Sequence, residues 1–503
     1  DPTAYRYGDE VRAMSPETHT VLVRDAEPVT RTLWRTHYGP TLNMPLLGWG
    51  TELAFTFRDA NVDNTAVAEH FLAMGQARSV AELRAVFDRV KGIPWVNTLA
   101  ADAAGDALYI DGSATPRLTP DAEARYLERN QTDFVAMLLA QNRIALLDGS
   151  DPGDEWQDHP DARSPGIEPP SRYPVMTRRD AVINANDSHW STHWSEPLEG
   201  FPVLAGIEAT PRSLRTRMNL FRARELSERG QVTNSDLLDA VFDNQSYSAR
   251  LLRDAVVERC RVAGTVTVEG HESNLTEVAD VLAAWDGSMG LDDPGAALWR
   301  ELMAGFTKEQ RLDAGLLFEV GFDPLDVIGT PHTLTAAPGN GADPVVHAAG
   351  HAARVLAAAG LSLDVTLRDC QWAQRGGARI PVHGGTESDG VMNVLDPVVV
   401  LPPMTLEPAP AQPTRIAGRD ATGLADGGYS VVYGASFLMA VDVTPSGPTG
   451  VGLLAYGQNE DHRSPHHADG TEAFAGQSVR PLRFTDAEID ADPALTRTTI
   501  TGG

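Results

Sequence analysis

The stretch Ile183-Asn184-Ala185-Asn186-Asp187-Ser188-His189-Trp190 puts two carboxamides, a carboxylate, a hydroxyl and an imidazole behind the short apolar run DAVIN, and a second pair, His193-Trp194, follows. Groups of these types serve two ends. Asn, Asp and Ser side chains close turns by bonding the nearby backbone. An Asn amide aimed into a cleft instead donates to the oxyanion of a tetrahedral adduct, and losing such a donor typically costs about 10²–10³ in rate. The residues alone leave both readings open.

Other clusters carry less. His347 and His351 lie four apart in a helical pattern, a spacing that can hold zinc, but the general-base Glu of the metallopeptidase motif is missing. Asp461, His462, His466, His467 and Asp469 crowd HRSPHHADG, which reads as a polar loop after a strand before it reads as a metal site. APGNGADP, around Gly339, has no following lysine and is no phosphate loop, and no G-x-S-x-G elbow occurs. The residues call for no metal and no cofactor.

Positioning groups like those near Asn186 takes a large scaffold, and the chain has one. Its 503 residues, 42% of them hydrophobic and 22% charged, have an ordinary globular composition. The formal charge of −28, with lysine only at Lys91 and Lys308, excludes nucleic acid and anionic membrane surfaces as partners. No run of ~18 apolar residues offers a membrane span. Cys260 and Cys370 are too few for a disulfide framework, leaving one bridge or two buried thiols. DPTAYRYGDEVRAM has no apolar core of the signal-peptide kind, and the chain is expected to be cut from something longer.

THTVLVRD and VTRTLWRTHYGP alternate at period two and predict strands. TAVAEHFLAMGQA and SVAELRAVFDRV predict helices, the second capped by Ser79 with Glu82 three residues on. IPWVNTLAADAAGDALYIDGS predicts a hairpin turning at Asp102–Asp106. Residues 149–173, rich in Pro, Gly and Asp, predict a surface excursion pinned by Trp156, and DAVIN predicts the end of a strand. Six helical patterns fill roughly 210–360, and strands return from 378. PPMTLEPAPAQP is a proline-rich loop. The expected organisation is β-rich parts at 1–205 and 378–503 sharing a mixed sheet, with a mainly helical insertion at 206–377.

INANDSHW followed by EPLEGFP and TPRSLRTRM resembles the β subunit of the penicillin acylase (penicillin amidase) family, the N-terminal-nucleophile amidohydrolases. RTHYGP, HFLAMGQARSVAELRAVFDRVKGIPWVNTLAADAAGDALYIDGSATPRL, IPVHGGTESDGVMNV, GASFLMAVDV and LLAYGQNEDHRSPHHADG resemble further family segments in order, over most of the chain. The detail is nearest the branch that deacylates lipopeptides and acyl-homoserine lactones. The resemblance implies an α+β fold, an αββα sandwich of antiparallel sheets with a large helical insertion. It also implies an N-terminal serine that attacks an amide, its own α-amine acting as base, through an acyl-enzyme.

Carried over position by position, Asn186 stands for the oxyanion-hole asparagine, with Asn184 as fallback. Arg215 stands for the arginine that steadies the site, with Arg212 as runner-up and a surface ion pair as the bland alternative. Phe71 and Trp95 stand where the family lines its acyl pocket, the alternative being core packing. Residue 1 is Asp1, and Thr3 is not terminal, so the nucleophile is expected in a segment this chain lacks and the polypeptide alone is expected to be inactive. The partners so implied are an α subunit and an N-terminal β segment from the same precursor, and a small-molecule acyl amide. Calcium occurs in the family, but no residue here is assigned to it. Export to the periplasm or outside is implied as well. A secreted binding or scaffold protein that keeps the sandwich without catalysis is the alternative of a different class.

Overall fold

Ser79 Oγ accepts the Glu82 N–H at 3.1 Å, starting the helix Val80–Arg89 where the capping pattern places it, while the Glu82 carboxylate reaches back to the Arg78 N–H at 2.9 Å. This is a computed structural model, and it describes residues 1–398 and 413–500. PPMTLEPAPAQP lies outside the described residues except for Pro413. Contacts gather the chain into two units: residues 1–182 with 188–192 and 198–208, and residues 183–187 with 193–197 and 209–503.

In the first unit Ser15–Val21 and Val29–Arg35 pair antiparallel from Ser15↔Arg35 to Val21↔Val29. Asn97–Ala101, Ala107–Asp111 and Val175–Arg178 form a three-stranded antiparallel sheet. The hairpin turn closes on Asp102, whose carboxylate accepts the N–H groups of Val80, Ala104 and Asp106. Helix Val80–Arg89 packs Val80 and Phe87 onto Leu108 and Ile110, with Ile93 and Tyr173 completing the core. Each such side chain contributes about 1.5–3 kcal/mol by leaving water. The 149–173 excursion is pinned more deeply than its composition suggests. Asp154 is buried and receives Arg125 at 2.7 Å, the Arg58 guanidinium lies 3.9 Å over the Trp156 ring, and residues 166–170 are buried.

In the second unit the six helical patterns become Leu214–Arg229, Asn234–Phe242, Tyr247–Ala263, Leu275–Ala284, Ala296–Met303 and Pro344–Ala358. Val256, Cys260, Leu282, Trp299, Ala349 and Val355 meet in one apolar core. Gly350 is where the hairpin strand Thr265–Val268 closes on the last of these helices: a Cβ there would stand 2.3 Å from Val266. Cys260 and Cys370 are both free and buried, and burial pushes each thiol up to about 12.

The later strands form the order Ala378–Pro381, Gln371–Arg375, Gly428–Val431, Leu424–Ala425, with the middle pair parallel. Phe437–Thr444 and Gly447–Leu454 form a long antiparallel hairpin. The fold is thus α+β with mainly antiparallel ladders, and residues 209–377 share a unit with the strands from 378 onward. Each ladder among the described residues joins strands of one unit. Most of these ladders are hairpins between strands close in sequence, and such pairing closes without recruiting a distant strand.

Candidate active site

DAVIN does not close a strand. The ladder stops at Arg178, and the backbone from Ala181 is irregular. Beyond it the Asn184 side chain closes a bend: its Oδ1 accepts the Asp187 N–H at 3.3 Å and its Nδ2 donates to the Asp187 carbonyl at 2.9 Å. Bonds of this kind compete with a sheet ladder for the backbone. Asn184 thus closes this bend through its side chain.

Inside that bend Asn186 takes φ +58, the left-handed conformation that Asn adopts more readily than most residues, and its side chain is exposed. Arg215 Nη1 donates to Asn186 Oδ1 at 3.3 Å. An amide that gives its oxygen to a guanidinium directs its NH₂ to the opposite side. Arg215 is also bracketed by Glu387, whose Oε1 stands 3.7 Å from Nε.

Two elements hold this arrangement. Arg215 lies in the first turn of Leu214–Arg229, started by Ser213, whose Oγ accepts the Thr216 N–H at 3.2 Å. Glu387 lies in the short turn Glu387–Asp389, where Thr386 and Asp389 form a reciprocal capping box. Arg212 is buried and occupied, donating to Asp187 Oδ1 at 2.8 Å and to the Thr210 carbonyl at 2.8 Å.

The rest of the motif serves packing. Ser188 Oγ accepts the Trp190 N–H and starts the turn His189–Ser191. Trp190 is fully buried and donates its indole N–H to Glu199 at 3.0 Å. His189 lies 3.1 Å from Glu208. Burial pushes the Glu208 carboxyl up, but the N–H groups of Gly200 and Phe201 together with His189 outweigh it and hold the group below its usual range. His193 stacks on Trp194, with ring centroids 3.9 Å apart.

Phe71 and Trp95 stand in the first unit, 50% and 74% exposed, so neither is a core residue. Asp187, Thr216 and Glu387 belong to the site and were not singled out from sequence. The T-x-x-D pattern in TESD is the one signal that could have marked the Glu387 turn.

The histidine clusters do not assemble a metal site. His347 is exposed on its helix, whereas His351 faces Glu269 at 3.9 Å beside Arg354. In HRSPHHADG, His466 pairs with Asp469 at 2.9 Å, and Arg463 beside Asp461 draws that carboxyl down to about 2. Among the described residues no group of three or more His, Cys, Asp or Glu could hold a metal ion. No helix among them is long and apolar enough to cross a membrane.

Known proteins share this organisation. A thermostable penicillin G acylase from Alcaligenes faecalis, a solved structure, superposes with a TM-score of 0.56 over 100% of this chain and 85% of its own, at 14% identity, and so shares the N-terminal-nucleophile hydrolase fold. Aculeacin-A acylase of Actinoplanes utahensis is 35% identical over 98% of this chain. The acyl-homoserine lactone acylase PvdQ of Pseudomonas fluorescens Pf0-1 is 31% identical over 98% of it. The chain spans 59% and 58% of those two relatives' lengths. The family model for penicillin amidase matches residues 1–491, and with that match the chain belongs to the penicillin amidase family.

Proposed function

We propose that this chain is the larger part of an N-terminal-nucleophile amide hydrolase that removes an acyl chain, by preference a fatty one, from a lipopeptide, an acyl-homoserine lactone or a β-lactam. The observation that carries the reading is the Asn186–Arg215 contact: an exposed amide, fixed through its oxygen, presents its NH₂ away from the guanidinium. Such a donor suits the oxyanion that forms when a hydroxyl attacks an amide carbonyl, because it is oriented before charge develops.

The hydroxyl is proposed to be a serine at a chain N-terminus, supplied by the part of the relatives' length that this chain does not span. Its α-amine, with an ordinary pKa near 8, takes the proton and later passes it to the leaving amine. Water then hydrolyses the ester. Arg215 keeps Asn186 from rotating, and Glu387 keeps Arg215 from following solvent. Phe71 and Trp95 are proposed as acyl contacts, an apolar exposed pair that suits a hydrocarbon chain. The complete protein is proposed to be exported and to include the remaining subunit segments from one precursor.

The test is Asn186→Ala in the full-length enzyme. Turnover should fall about 10²–10³-fold with an unchanged unfolding midpoint. Normal turnover would remove Asn186 from the mechanism.

A further inference from the structure

The residue after Asn186 is tied down at both of its carboxylate oxygens. Asp187 Oδ1 accepts Arg212 Nη1 at 2.8 Å, and Asp187 Oδ2 accepts the Thr216 hydroxyl at 2.7 Å. Its main chain is held twice more, by the two ends of the Asn184 amide at 3.3 and 2.9 Å. Arg212 and Thr216 are 5% and 2% exposed, so these contacts lie in the protein rather than on its surface. Charge-assisted hydrogen bonds from a guanidinium or a hydroxyl to a carboxylate are the strong kind.

Thr216 does not do what a threonine in a first helical turn commonly does, which is to bond its own helix. Its oxygen lies 3.2 Å from the capping Ser213 hydroxyl and its proton goes to Asp187, completing a relay from Ser213 through Thr216 to Asp187. Thr216 is also the immediate neighbour of Arg215. The amide of Asn186 and the guanidinium that fixes it are therefore referenced to the same turn of the same helix, one through Asp187 and the other directly. A non-glycine residue at positive φ persists only where its surroundings determine it, and Asp187 supplies that determination one residue from Asn186.

We propose that Asp187, with Thr216 as its partner, is a positioning residue for the oxyanion donor Asn186. It touches no substrate and acts by keeping the bend in the geometry that aims the amide. This rests on the acylase reading given above. Misplacement of a catalytic group by about 1 Å can cost about 10²-fold in rate, so loosening the clip should cost turnover while leaving substrate affinity alone.

The experiment is a double-mutant cycle in the full-length enzyme, with kcat, KM and unfolding midpoint measured for each variant. Asp187→Asn and Thr216→Val should each lower kcat about 10-fold or more with little change in KM, and Thr216→Ser, which restores the hydroxyl, should recover most of the loss. Added to Asn186→Ala, neither should lower kcat further, because the group being positioned is gone. If Asn186→Ala slows turnover while Asp187→Asn and Thr216→Val do not, the positioning role is overturned and the acylase reading stands. If the losses multiply, Asp187 acts independently of Asn186 and the proposal is also overturned. Normal turnover in Asn186→Ala overturns the parent reading and this one with it. Should Asp187→Asn fail to fold, the nearly isosteric Thr216→Val and its serine rescue decide the matter alone.

Discussion

The Arg300 guanidinium meets the Asp389 carboxylate at 3.1 Å, and both side chains are almost wholly buried. Arg300 also donates to Gln371 Oε1 at 2.8 Å, and Asp389 takes the Thr386 N–H at 2.7 Å. Asp389 closes the same short turn that carries Glu387, and Glu387 faces Arg215. The ion pair thus anchors one side of the site from within the core.

Arg300→Met should therefore destabilise the protein by about 3–5 kcal/mol, because it leaves a carboxylate buried without its cation. Asp389→Leu added to it should recover part of that loss, since well-packed apolar groups often replace a buried pair at little cost. Denaturant midpoints for the two variants test this. A single variant as stable as the parent chain would show that the pair does not hold the turn.

Much of the scaffold was legible because periodicity is local. All six helical patterns between 210 and 360 became helices, and Ser79 capped its helix as its spacing to Glu82 implies. DAVIN was misread because a run of apolar letters does not show where a ladder ends, and this one ends at Arg178. Asn186 and Arg215 are 29 residues apart, a pairing no period encodes, and it came from resemblance alone. Asp187 sat inside the quoted motif and was taken with the other turn-formers. What sets it apart is two partners far along the chain, Arg212 just ahead of the helix Leu214–Arg229 and Thr216 in its first turn. The metal spacing of His347 and His351 was real in the sequence, but spacing on one helix does not bring a third ligand.

A second prediction concerns acid. His70 is fully buried on the helix Val67–Gln76, with Nδ1 accepting the Gly92 N–H at 3.0 Å and the ring edge-on to Phe87 at 4.7 Å. The ring proton then sits on Nε2, where no hydrogen-bond partner stands. Burial holds the imidazole down at about 4, against its ordinary 6.5. Between those values the unfolded chain binds a proton that the folded chain does not, so stability falls as pH drops through that window and is intact above it. His383, also lowered by burial against the opposing Phe474 carbonyl, acts in the same direction in the second unit. His70→Gln should make the dependence of the denaturant midpoint on pH shallower without abolishing it. An unchanged slope would show that His70 is protonated in the folded state as easily as in the unfolded one.

Trp95 gives the third prediction. With 74% of its surface in water it has little to contribute to folding, so Trp95→Ala should change stability by no more than about 0.5 kcal/mol. Its loss should instead appear in chain-length discrimination. Each methylene that an acyl chain buries contributes about 0.8 kcal/mol, and log kcat/KM of the full-length enzyme should therefore climb steadily from short to long acyl amides. Removing an aromatic wall should flatten that climb, with short chains nearly unaffected and long chains losing most. Phe71→Ala, at a half-exposed position on the helix Val67–Gln76, should act in the same sense. If both variants keep the parent slope, these aromatics do not meet the acyl chain and the proposed fatty-acyl preference loses its support from them.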